Sequence, residues 1–139
     1  MGSLSAAASL QLRIELHGIQ LGRPTDLLLD TEAWQVVGFV VHCGDESVRF
    51  LPYAAAQTSE TEIAVGSALL LLEDLDFYAK RSVSFRSLLG GEVARGGVLR
   101  DLYIGAGGAV TELEVEREGV LRRVPVTGQT VAPHRLSAA

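Results

Sequence analysis

Apolar and polar residues alternate along much of the chain. From residue 10 to residue 17, leucine and isoleucine occupy every second position, which is the pattern of a strand with one buried face. Further β-rich runs follow at residues 27–29, 34–41 and 48–52, and residues 62–72 hold two short strands broken at Gly66. About six strands are therefore expected in the first half of the chain, a number typical of small barrels.

The second half of the chain repeats this plan. Residues 26–30 align with 101–105, residues 36–41 with 110–115, and residues 49–52 with 123–125, so the offset stays between 73 and 75. Self-similarity at one offset indicates two copies of one supersecondary unit. We predict a first module at residues 10–73, and a connecting segment plus a second module at residues 74–135.

The clearest hairpin lies in the second copy. Glu112, Glu114 and Glu116 alternate with apolar residues, and Glu118 and Gly119 stand where a two-residue hairpin turn belongs, before the run at residues 120–126.

The connecting segment and the N-terminus differ in character. Residues 73–89 begin with acidic residues and place apolar side chains at near-helical spacing, which predicts a short helix or turn. Their aromatic content indicates that the two modules share an interface. Residues 1–9 are small and polar, without the charged and apolar regions of a signal peptide, and we interpret them as a loose tail.

Together these features resemble the PRC-barrel family, which is seen in the photosynthetic reaction-centre H subunit and the bacterial ribosome maturation factor. The resemblance rests on a first strand, Leu21-Gly22, the strand at residues 26–30, a turn, the valine-rich strand and a final Phe-Leu-Pro at residues 50–52, and it covers roughly residues 10–135. The second copy departs from the pattern at residues 105–108, where the turn is rich in glycine.

The resemblance implies an all-β fold of two tandem small β-barrels of about six strands each, packed together. It also implies a non-catalytic protein-interaction or assembly module. Whether the copies form separate barrels or exchange strands stays open. A ribosome- or RNA-associated maturation factor is the first alternative, and a small-ligand-binding barrel is the second.

Charge and cysteine content narrow the choice of partner. A net charge of −5 argues against a protein that mainly neutralises phosphates, so nucleic-acid binding is disfavoured. The apolar runs are far shorter than the ~20 residues that span a bilayer, so no membrane insertion is expected. A single cysteine, Cys43, forms no internal disulfide, which fits a reducing cytoplasm. We predict a protein partner and leave a homo-oligomer open.

Candidate chemistry is sparse. His17, His42, Cys43 and His134 lack the paired spacing of metal ligands. The aspartates recur at matching places, but aspartate at strand ends more often caps turns through backbone N–H groups. We therefore predict no catalytic, cofactor-binding or metal-binding residue, no cofactor and no enzymatic activity. The matching aspartates are Asp26, Asp30 and Asp101.

One locally basic stretch supports the RNA alternative. Its cations are interleaved with Tyr78 and Phe85, a mixture that nucleic-acid sites use. We interpret the stretch as a solvated connection whose aromatic residues seal the interface between the modules. The RNA alternative requires the arginines to converge on one face. Trp34, the only tryptophan, marks a contact surface if it is exposed. The basic residues are Lys80, Arg81, Arg86, Arg95 and Arg100.

Overall fold

The computed structural model describes residues 3–94 and 96–132 and is mostly β, with 50% of residues in strands and 17% in helices. The expected all-β class is thereby confirmed. None of the described helices is long and apolar enough to cross a membrane. The strands are β1 Leu4–Ser5, β2 Ile14–Leu16, β3 Ile19–Asp30, β4 Gln35–Cys43, β5 Val48–Pro52, β6 Ala56–Thr58, β7 Ile63–Val65, β8 Val83–Ser84, β9 Val98–Ile104, β10 Val110–Arg117 and β11 Val120–Pro125, and the α-helices are α1 Ala6–Ser9, α2 Leu75–Ala79 and α3 Phe85–Leu88.

Two sheets curl into half-barrels. The first has seven strands in the order β5-β4-β3-β2-β7-β6, with β8 added to the far end of β3. The second has four strands in the order β1-β9-β10-β11. Most neighbours are antiparallel, as hairpin connections require, and β2 pairs with β7 in parallel.

The β10–β11 hairpin forms as the sequence predicts. Arg117 pairs with Val120 around a turn in which both Glu118 and Gly119 have positive φ, 53° and 79°. That is the conformation of a type I′ turn, whose twist matches that of the flanking strands. The helix or turn expected in the connection is also present, as α2 and α3.

Matching glycines lie close to the backbone of the neighbouring strand in both repeats. A Cβ atom on Gly22 would lie 2.5 Å from the carbonyl oxygen of His42, and one on Gly97 would lie 2.9 Å from that of Glu116. Gly22 thus lets β3 approach β4 closely, and Gly97, which precedes β9 and has a φ of 99°, lets the chain approach β10.

In the last strand of the repeats, the strand pairing gives an equivalence that differs by one residue from the alignment made on sequence. Arg49 pairs with Val41, and Arg122 pairs with Val115, the residue equivalent to Val41. The counterpart of Arg49 is therefore Arg122, and Phe50 corresponds to Arg123.

The repeats exchange their first strands. β1 pairs with β9 of the second repeat, whereas β8, which opens the second repeat, pairs with β3 of the first. The hydroxyl of Ser5 donates to Asp101 at 2.5 Å, and that of Ser84 donates to Asp26 in the same way. This exchange crosses the predicted boundary between residues 73 and 74, and residues 133–135 of the second module lie outside the described residues.

The expectation of a loose N-terminal tail is wrong for residues 4–9. Ala6 and Ser9 have no exposed surface, and Ser5 caps α1 by accepting from the N–H of Ala8 at 3.1 Å. Small residues gave no apolar signal in the sequence, yet they fit closely against β9. The N-terminal segment is thus part of the second sheet.

One hydrophobic core serves both repeats. Its buried members come from β3, β4 and β5 of the first repeat and from β9 and β10 of the second. The connection contributes Phe85, which is buried in this core, whereas Tyr78 stacks outside it on Phe50, with ring centroids 4.1 Å apart. The interface expected from the aromatic residues of the connection is therefore present at Phe85 and not at Tyr78.

Candidate interaction site

His42 and Cys43 are consecutive residues at the end of β4, and His17 lies in a different turn. His17 is in the turn between β2 and β3, and the exposed His42 faces Glu46 at 3.4 Å. Cys43 is buried, and His134 lies outside the described residues. In residues 3–94 and 96–132, no three metal-ligating side chains come together.

The three aspartates bond to backbone N–H groups. Asp30 accepts from Glu32 and Ala33 in the turn that follows it, as the sequence indicates. Asp26 and Asp101 instead lie inside strands and accept from the helix that the other repeat contributes: from Arg86 at 3.1 Å and from Ala7 at 3.0 Å. These carboxylates hold the exchanged segments.

The basic stretch does not gather into a patch. Arg81 donates to the carbonyl of Phe77 at 2.8 Å, Arg86 donates to the carbonyl of Thr25, and Arg100 pairs with Glu116 at 3.0 Å. Arg95 lies outside the described residues. Each of these three arginines thus bonds to a different group near its own position, and they do not share a partner.

Trp34 is only partly exposed. It packs against the core, and its φ of 50° is in the left-handed region, at a place where the second repeat has Gly108. Its carbonyl accepts from Val110 of the second repeat at 2.8 Å. Trp34 therefore lies at the junction between the repeats.

The outer edge of β11 presents unpaired backbone groups in the described part of the chain. Val126 donates its N–H to Thr111 beside β10 at 3.1 Å. Because antiparallel strands alternate, the N–H and C=O of Arg123 and Leu121 point away from β10. The side chains nearby are also uncovered, with 52% of Val120 and 56% of Leu121 exposed.

The corresponding edge in the first repeat is covered. Phe50, the counterpart of Arg123, donates its N–H to Leu72 at 2.9 Å and accepts from the N–H of Leu72 at 2.7 Å. The next residue, Glu73, pairs with Arg49 at 3.3 Å, and the preceding one, Leu71, is buried in the core. Three consecutive residues thus close the first half-barrel.

A cleft of 470 Å³ lies beside β11, where this closure has no described counterpart. Gly96, Arg117 and Arg122 line it and correspond to Leu21, Cys43 and Arg49, which together with Leu71 line a cleft of 430 Å³ in the first repeat. We call this cleft, together with the outer edge of β11, the β11 site. Its remaining lining residues are Val93, Val115, Glu118, Val120, Val124, Pro125 and Gln129.

One buried polar atom of a residue that lines the cleft lacks a partner in the described structure. Gln129 is only 8% exposed, and its Oε1 accepts no hydrogen bond from the described residues. Buried polar atoms are nearly always bonded, so this enclosed oxygen is an exception within the described residues.

The outer face of the same sheet carries a polar cluster. The Arg123 guanidinium lies 3.4 Å from the centroid of the Tyr103 ring. The Tyr103 hydroxyl donates to Glu114 at 2.5 Å, and this hydrogen bond, with burial, raises the pKa of Tyr103. Arg123 therefore turns its side chain to the outer face while its backbone forms the free edge.

The β11 site was not predicted from sequence, although a signal was present. Residues 120–125 do not alternate apolar with polar, since two valines flank Leu121 and a pair of arginines. A strand without a consistent apolar face lacks the burial on one side that most sheets show. No protein-family model matches the chain, and no curated protein matches its sequence.

Proposed function

We propose that the chain is a non-catalytic protein-interaction or assembly module of tandem PRC-barrel type that binds an extended segment of a partner protein at the β11 site. The observation that carries this proposal is the outward-facing backbone of Arg123, which is uncovered by the described residues although its counterpart Phe50 is bonded to Leu72. The cytoplasmic setting expected from the single cysteine belongs to the same proposal.

Addition of a partner strand accounts for both parts of the β11 site, the uncovered edge of β11 and the cleft beside it. A segment laid along an exposed sheet edge gains main-chain hydrogen bonds, and alternate side chains enter pockets that provide specificity. Here the inner face of β11, with Arg122 and Val124, forms one wall of the cleft. An added strand would therefore place every second side chain into it.

The small-ligand alternative has one observation in its favour. The cleft, which is lined by valines and a few polar residues, is a feature that ligand sites share. We rank it second because a small molecule would leave the strand edge beside the cleft uncovered. The RNA alternative requires converging arginines, and the described ones give it no support.

The test compares two substitutions at one residue. Arg123→Ala removes the side chain but keeps the outward N–H, whereas Arg123→Pro removes both, and proline is tolerated where an edge N–H faces solvent. Tagged protein is used to capture partners from native lysate, with and without nuclease. A nuclease-resistant partner held by Arg123→Ala and lost with Arg123→Pro supports the proposal. Equal capture by both variants contradicts it.

A second measurement does not depend on how well the proline variant folds. A photo-crosslinking residue in place of Leu121 should form an adduct with the same partner. The same residue in place of Leu69, which is 87% exposed on the first repeat, is the control and should not form it. Crosslinks from Leu69 alone would place the interface elsewhere.

A further inference from the structure

In the first repeat, a segment of the chain itself covers the strand edge that is uncovered at the β11 site. Leu71 enters the core, the backbone of Leu72 forms two hydrogen bonds with Phe50, and Glu73 pairs with Arg49. Building on the proposed function, we propose that the β11 site selects a partner segment with the pattern apolar, any residue, acidic, which runs antiparallel to β11 as Leu72 runs to β5.

The backbone pairing of the partner segment follows from the equivalence of β5 and β11. Phe50 pairs with Val40 on β4, and Arg123 pairs with Glu114 on β10, so both residues turn their N–H and C=O to the outer edge. The central residue of the segment therefore pairs with Arg123 and needs no particular side chain.

The inward side chain meets an apolar wall. Val93 and Val115 are each only 5% exposed and form the floor of the cleft, and Val124 adds to one side. A leucine or isoleucine side chain of the segment is stabilised most when it leaves water for such apolar surroundings.

The preference for an acidic residue in the segment follows from the charge of the residues that line the cleft. Arg122 stands in place of Arg49, which binds Glu73, and Arg117 stands in place of the uncharged Cys43. The β11 site thus holds two guanidinium groups where the first repeat has one, with Glu118 as the one acidic residue of its lining. In a chain of net charge −5, this local positive charge favours a carboxylate on the segment.

The experiment uses the first repeat's own segment as the probe. A fluorescent peptide with the sequence of residues 67–74 is titrated into the full-length protein and followed by anisotropy. We expect saturable binding that Arg122→Glu weakens about tenfold or more, because a like charge then faces the peptide carboxylate. Arg49→Glu is the matched control, and should leave binding unchanged since the strand edge beside that arginine is already paired with Leu72.

A charge exchange separates recognition from loss of structure. A peptide carrying Glu73→Lys should bind Arg122→Glu protein better than it binds the wild type. Failure of the peptide to bind the wild type, or equal binding to both proteins, overturns the inference. If capture of the natural partner still depends on the Arg123 backbone in that case, the proposed function stands and only the pattern is wrong.

Amide hydrogen exchange at Arg123 identifies any other occupant. In the protein alone this N–H should exchange fast, and the peptide should slow it. Slow exchange that depends on protein concentration would assign the edge to a second copy, and slow exchange at every concentration would assign it to the chain itself. Either result overturns the inference.

Discussion

Gln35 and Ala109 occupy the same position in the two repeats and pair with each other as an antiparallel bridge. The Gln35 amide also donates to the carbonyl of Gly107 at 2.6 Å. A residue that pairs with its own counterpart lies on the approximate twofold axis that relates the repeats. The reciprocal exchange of β1 and β8 follows the same relationship, so neither repeat completes its sheet alone.

The exchanged segments should depend on their aspartates. Asp101→Asn and Asp26→Asn each weaken charge-assisted hydrogen bonds to a serine and to a helix N–H from the other repeat. We expect a loss of about 1–3 kcal/mol in the free energy of unfolding for each, measured by chemical denaturation. The exposed Asp76 supplies the control, Asp76→Asn, which should change little.

The two variants also test whether the repeats unfold together. Because one core includes both, Asp101→Asn should shift a single transition, seen at the same denaturant concentration by circular dichroism and by Trp34 fluorescence. Two separate transitions would show that the repeats are independent.

The fold was predictable where local patterns decide it. The alternating glutamates of β10 and the Glu118-Gly119 turn specify a hairpin without reference to the rest of the chain. The exchange was not predictable, because the partner of Ser5 is Asp101, 96 residues away, and alanines and serines carry no periodic signal. The β11 site is recognised by a contrast: Leu72 covers the edge of β5, and no described residue covers the edge of β11. Only the three-dimensional comparison of Phe50 with Arg123 reveals this contrast.

Gly22 should tolerate no side chain. In Gly22→Ala the new Cβ would lie 2.5 Å from the carbonyl oxygen of His42, a backbone atom that moves only with its strand. We expect destabilisation of about 1–3 kcal/mol, typical of overpacking. Gly44→Ala is the matched control, since no atom beyond its two chain neighbours lies within 4 Å of its Cβ position. Equal melting temperatures for the two variants would contradict the close approach.

The hairpin turns can be improved. His17 and Glu118 have φ of 50° and 53°, a left-handed conformation that asparagine adopts more readily. Glu118→Asn and His17→Asn should each recover part of the roughly 1 kcal/mol that this conformation costs a residue with a Cβ. Glu60→Asn, outside any positive-φ turn, should bring no gain in thermal stability. A similar gain from Glu60→Asn would point to charge rather than turn geometry.

Tyr103 should make the second sheet sensitive to alkaline pH. The hydrogen bond to Glu114, with burial, raises the pKa of Tyr103 in the folded protein above its unfolded value. Protonated Tyr103 therefore favours the folded state, and this contribution is complete below about pH 10 and is lost as pH rises through the folded-state pKa. Glu114→Gln removes the main cause, so the pKa of Tyr103 should fall toward its ordinary value. Tyrosinate absorbance, taken as the difference between each protein and its Tyr103→Phe derivative, measures that pKa directly. Identical titrations with and without Glu114 would show that the hydrogen bond does not control it.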